Sequence, residues 1–158
     1  MDTETQPLAI SRVFDAPREL VYLALTDPDQ LAAWWGPIGC SLPRELIEVD
    51  NRPGGFQRFV MVVAEDPSIR VEHVADLIEV VEGRLLTGVL HVSGALPVGY
   101  EPFDLAFRFE FHDEPDGRTR LEQRHDFPPG SSEAWLEAAL AGALESFTKL
   151  DAELAARA

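Results

Sequence analysis

Gln123 and His125 are the side chains of this 158-residue sequence whose placement calls for a chemical explanation. Between Arg118 and Phe127 the sequence alternates strictly. Thr119, Leu121, Gln123, His125 and Phe127 fall on one face, and Arg118, Arg120, Glu122, Arg124 and Asp126 on the other. The face carrying Leu121 and Phe127 must turn inward, and it takes an amide and an imidazole with it. A buried polar group without a partner costs about 1–3 kcal/mol. Two arrangements remove that cost: hydrogen bonds to the backbone or a neighbouring helix, or a cavity in which water or a ligand is the partner. In a cavity, His125 is also the candidate general base, with His91 a second acid–base group.

Other chemistry has little support. His73, His91, His112 and His125 lie on different predicted strands, with none of the i, i+2 or i, i+4 spacings of metal ligands. His73, His91 and His125 could meet only if the sheet curls, and the expectation is no metal and no cofactor. Cys40 has no basic neighbour in sequence and no helix start to lower its pKa, so it is expected to be inert. No nucleophile elbow occurs. Gly54-Gly55 reads as a turn, and Gly36 with Gly39 is too short a pattern for a phosphate loop.

The formal charge of −15, with one lysine, argues against nucleic acid and anionic membrane surfaces as partners. No apolar run nears the ~18 residues that span a bilayer. Residues 1–7 show no signal-peptide pattern and read as a flexible tail. A lone cysteine permits no internal disulfide. These features predict a single domain over residues 1–158, located in the cytoplasm, with no membrane insertion.

The elements that would position Gln123 and His125 follow from periodicity. Leu8–Phe14 reads as a strand. Pro17 opens a short helix to Leu25, and Asp27, Pro28 and Gln30 open another that ends near Trp34. Strands are then predicted over 44–49, 56–63, 70–81, 84–92, 103–111 and 118–127, separated by turn formers such as Asp50–Gly55, Glu82-Gly83 and Asp116-Gly117. From Ser131 to about Ala156, Trp135, Leu136, Ala139, Leu140, Ala143, Leu144, Phe147, Leu150 and Leu154 mark one stripe of a long helix, capped by Ser131 or Ser132. Hairpin-length links make the later strands antiparallel. The α+β solution is a curved sheet of about seven strands wrapped around the terminal helix, with the two short helices plugging one end. The segment Gly94–Tyr100 is unusually apolar for a connection and has two readings, a lid with glycine hinges or a patch that pairs two copies into a homodimer.

The strings Ile10-Ser11-Arg12-Val13-Phe14-Asp15-Ala16-Pro17-Arg18-Glu19-Leu20-Val21-Tyr22, Leu25-Thr26-Asp27-Pro28, Leu31, Trp34-Trp35-Gly36-Pro37 and Arg52-Pro53-Gly54-Gly55, in this order, resemble the AHSA1-like (Hsp90-ATPase-activator-like) family of the SRPBCC, or START/Bet v 1, superfamily. The resemblance implies a helix-grip fold and a tunnel between sheet and helix that takes a small apolar molecule. Its walls would be Phe107 and Phe109 from the sheet, Leu140, Leu144 and Phe147 from the helix, and Trp34 or Trp35 near the mouth, with Gln123 and His125 orienting the ligand. The superfamily also contains enzymes, so a cyclase or hydrolase using His125 as general base is the alternative. A stress-related chaperone partner is a third. The family's co-chaperones carry an additional N-terminal domain, and the short stretch before strand one here implies the stand-alone bacterial kind.

Overall fold

A computed structural model describes residues 4–157. It contains β1 (Gln6–Phe14), α1 (Arg18–Thr26), α2 (Pro28–Trp34), β2 (Cys40–Ser41), β3 (Glu48–Asp50), β4 (Phe56–Val63), β5 (Arg70–Val81), β6 (Leu85–Ala95), β7 (Phe103–Glu114), β8 (Arg118–Phe127) and α3 (Glu133–Arg157). The eight strands form one antiparallel sheet in the order β1-β8-β7-β6-β5-β4-β2, with β3 also on β4. The consecutive hairpins from β4 to β8 follow from the short turns, and β1 closes the far edge by pairing with β8.

The short helices start where the sequence sets them. Asp27 accepts a hydrogen bond from the Gln30 amide at 3.1 Å, and Pro28 occupies the first turn of α2. At α3 the cap is Ser132, whose hydroxyl accepts from the Trp135 amide at 3.1 Å, whereas Ser131 donates to the Pro128 carbonyl. Residues 44–49 are not the continuous strand that periodicity predicts. The Leu46 and Ile47 amides bond back to Pro43 and Arg44, closing a 3-10 turn over Arg44–Leu46 before β3 begins. The strand over Cys40–Ser41 is too short for periodicity to reveal. β1 begins at Gln6, so residues 6 and 7 belong to the sheet and not to a tail; residues 1–3 of that expected tail lie outside the described residues.

The two halves of α3 differ. Phe147, Leu150 and Leu154 are buried and share a core with Phe14, Val21, Leu31, Phe59, Leu86, Phe111 and Leu121. The N-terminal half is only partly buried on its inward side, and its Trp135, Leu136 and Ala139 lie against a second cluster built on Ala75, Leu77, Leu105, Phe107 and Phe127. Between this half and the sheet the interior is not filled.

Sheet curvature has a local cause. β5 bulges at Ile78, which stands out of the register with β6 and is 60% exposed, so the inward set changes from Val71, His73, Ala75 and Leu77 to Val80. Opposite the bulge, a Cβ on Gly88 would lie 2.2 Å from the Asp76 carbonyl oxygen and 2.9 Å from the Phe107 ring. Glycine is therefore the residue that lets β5, β6 and Phe107 come this close.

Candidate ligand cavity

Pleat and register put the polar groups together. Phe107 faces His125 and Phe109 faces Gln123 across the β7–β8 ladder, and Phe59 faces His73 across β4–β5. All six side chains line a cavity of about 380 Å³ between the sheet and the N-terminal half of α3. Trp34, Trp35 and Phe147 also line it. α3 contributes mostly small residues, Ala138, Ala139, Gly142 and Ala143, which is why the helix leaves space there. A volume of this order suits a small organic molecule.

Two of the residues assigned to the walls from the sequence lie elsewhere. Leu144 is 43% exposed, and Leu140 packs on the main core without lining the cavity. The apolar stripe of α3 is wider than the part that faces inward, so periodicity included residues at its margin.

Among the described residues, neither Gln123 nor His125 makes a side-chain hydrogen bond. Both line the cavity, where a bound molecule could partner them. His125 meets Phe109 and Phe127 edge-on, with ring centroids 5.8 Å and 6.2 Å away. Burial pushes its pKa down to about 4, with Asp126 opposing weakly. The ring is neutral at physiological pH.

His73 completes the polar wall and is the residue the sequence reasoning left out of the site. The alternation Val71, His73, Ala75, Leu77 marks it as inward-facing. Its ring stacks on Phe59 at 5.0 Å and meets Trp35 edge-on at 4.9 Å. Burial pushes its pKa down to about 4; the Nδ1 bond to the Val71 carbonyl at 3.1 Å opposes this, and the nearness of His125 adds to it.

His91 does not join them. Its position in β6 has the opposite parity to inward-facing Leu86 and Val92, so it stands on the outer face between Asp76 (2.9 Å) and Asp104 (2.6 Å), which raise its pKa. The three-histidine convergence is therefore excluded by strand parity. Burial pushes the Cys40 thiol up, with Lys149 opposing and Glu145 adding to it. That is the direction of an unreactive thiol.

The segment between β6 and β7 reaches the cavity through Leu96, Pro97 and Tyr100. Beside it, an open groove of about 790 Å³ runs between residues 98–103 and 128–135. Tyr100, Phe103 and Trp135 belong to both spaces, so this is the short way from solvent to the interior. Gly94, at φ +99°, has its Cβ position 2.6 Å from the Arg70 carbonyl oxygen, which fixes glycine at the start of the segment. No helix among the described residues is long and apolar enough to cross a membrane.

Known proteins share this fold. A protein of Chromobacterium violaceum aligns with a TM-score of 0.78 at 22% identity, over 94% of this chain and 97% of its own. The AHSA1 protein of Silicibacter pomeroyi gives 0.78 at 23% identity, over 97% and 100%. A protein of Nitrosomonas europaea gives 0.77 at 25% identity, over 100% and 99%. No curated protein of assigned function matches the sequence. The family profile described as activator of Hsp90 ATPase homolog 1-like protein matches residues 15–155, nearly the whole of this helix-grip domain. The chain belongs to the AHSA1-like family of the SRPBCC superfamily.

Proposed function

We propose that the protein binds a small, largely apolar molecule in the cavity between the sheet and α3, with Gln123 and His125 meeting its polar group, and acts as a binding protein in the cytoplasm. The observation that carries this reading is an apolar interior space with polar groups on its wall that have no partner among the described residues. Phe107, Phe109 and Phe147 supply apolar surface, and Trp34 and Trp35 close the end nearest α2. The segment 94–100 fits a lid better than a dimer patch, because Leu96 and Pro97 are partly buried on the cavity wall, although Val98 and Tyr100 stay exposed.

An enzyme using His125 as general base has less support. Among the described residues no carboxylate hydrogen-bonds the ring to orient it, and a pKa near 4 is far below that of an efficient base at neutral pH. A chaperone-associated role has the family's description behind it.

The test is a thermal-denaturation panel of small apolar and amphipathic molecules. A ligand present at a hundred times its Kd adds about 2.7 kcal/mol, which is a rise of about 5–10 °C in a chain of this size. The reading expects such a rise for a subset of the panel, reduced when Ala139→Leu takes up part of the space. A panel that leaves the wild-type melting temperature unchanged contradicts it.

A further inference from the structure

Among the described residues the cavity wall carries no aspartate, glutamate, lysine or arginine. A carboxylate or ammonium entering it would lose its hydration with no opposite charge to meet it. Some of the polar atoms on the wall are already committed. Trp34 Nε1 donates to the Ala24 carbonyl at 2.8 Å, Ser146 Oγ donates to Gly142 at 3.1 Å, and Gln57 Nε2 donates to Leu25 and to Asn51 Oδ1.

His73 is different. It is 7% exposed, and Phe59 and Trp35 hold its ring in place. Its Nδ1 faces the Val71 carbonyl at 3.1 Å. A carbonyl only accepts, so Nδ1 carries the proton, and Nε2 at the tip of the ring is a bare lone pair. Nε2 has no partner among the described residues. A bound molecule must therefore bring a donor to it, while the Gln123 amide nitrogen offers a donor in the same cavity. A hydroxyl is the smallest uncharged group that supplies such a donor while its oxygen can still accept.

We propose that the cavity is built for an uncharged, mainly apolar molecule bearing an alcohol or phenol hydroxyl, which donates its hydrogen bond to His73 Nε2. This rests on the reading of the cavity as a ligand site and adds the chemistry of the ligand's polar group. His73 fixes the acceptor, and Gln123 and His125 offer further polar atoms on the same wall. The absence of charge on the wall selects against carboxylates of the same skeleton.

The test is calorimetric titration at pH 7.5 with three probes of one shape: naphthalene, 2-naphthol and 2-naphthoate. Hydrophobicity alone orders naphthalene above 2-naphthol, so the reverse order is diagnostic. The expected result is 2-naphthol binding at least tenfold more tightly than naphthalene, the scale of one buried hydrogen bond to an otherwise unpaired group, with 2-naphthoate weakest. His73→Phe keeps the stack on Phe59 and should retain naphthalene binding while abolishing the preference for 2-naphthol. His73→Leu serves should that variant fold poorly. In the wild type, the ¹⁵N resonance of His73 Nε2 should move with 2-naphthol and stay with naphthalene. Equal binding of naphthalene and 2-naphthol, tightest binding of 2-naphthoate, or a preference that survives both substitutions overturns the hydroxyl assignment and leaves the cavity as an apolar site. Failure of all three probes to bind overturns the cavity reading as well.

Discussion

Replacing Ala139 by leucine separates a true cavity from a packed interior by the sign of its effect. Ala139 lies on the inward side of α3 and lines the space of about 380 Å³, several times the bulk of the three carbons that leucine adds. Each methylene moved from water into apolar surroundings is worth about 0.8 kcal/mol, which gives about 2.4 kcal/mol for three. Ordering the new side chain costs about 0.5–1 kcal/mol. The net gain is about 1.5 kcal/mol, a rise of about 3–6 °C in melting temperature for a domain of this length. Ala24 in α1 is the matched control. It has no exposed surface and does not line the cavity, so leucine there overpacks the core and costs about 1–3 kcal/mol. Calorimetry and urea denaturation of both variants read the comparison. A fall for Ala139→Leu similar to that for Ala24→Leu would refute the argument, since it would mean that the space is already filled.

Three further outcomes follow from the same structure. With pKa values lowered from 6.5 to about 4, His73 and His125 bind fewer protons folded than unfolded, so their contribution is complete above pH 6.5 and is lost as pH falls toward 4. By pH 5 the loss is about 2 kcal/mol for each; urea midpoints at pH 7, 6 and 5 should show it, and His73→Phe combined with His125→Phe should flatten the profile. His91 shifts the opposite way, but it is exposed and solvent screening keeps its effect small. Gly88→Ala should cost more than about 2 kcal/mol in urea denaturation, because its methyl would meet the Asp76 carbonyl oxygen at 2.2 Å; a loss below 0.5 kcal/mol would show that the strands adjust freely. Along α3, Leu150→Ala should cost about 2–5 kcal/mol and Leu144→Ala close to nothing, since one is wholly buried and the other 43% exposed; equal losses would mean that the buried face of the helix is misassigned.

Much of this was legible in residue spacing. Strict alternation over Arg118–Phe127 and Phe103–Phe111 placed Gln123 and His125 beside Phe109 and Phe107 on one inward face, and the ladder between β7 and β8 pairs those same residues. Asp27, Pro28 and Gln30 marked the start of α2 correctly. Parity in β5 also marked His73 as inward, and parity in β6 marked His91 as outward; grouping histidines by type obscured both signals. Other features carry no local signal. The 3-10 turn over Arg44–Leu46 depends on backbone bonds within a segment whose side chains alternate like a strand. The bulge at Ile78 is a matter of register with β6, and register is a property of two strands. The extent of the α3 face that meets the sheet depends on where the sheet stops, so the stripe that included Leu144 was too wide. The cavity itself arises because alanines and a glycine on α3 lie opposite aromatic strands, a relation between elements distant in sequence.

The central claim is an accessible apolar space under the N-terminal half of α3, edged by His73, Gln123 and His125. A crystal structure determined under xenon pressure tests it most directly, because xenon enters apolar voids without needing a polar partner. The account predicts xenon density among Phe107, Ala139 and His125, with the two imidazoles and the Gln123 amide still turned toward it. Trp135 and Ala139 packed directly on β7 and β8, with no xenon between helix and sheet, would contradict it.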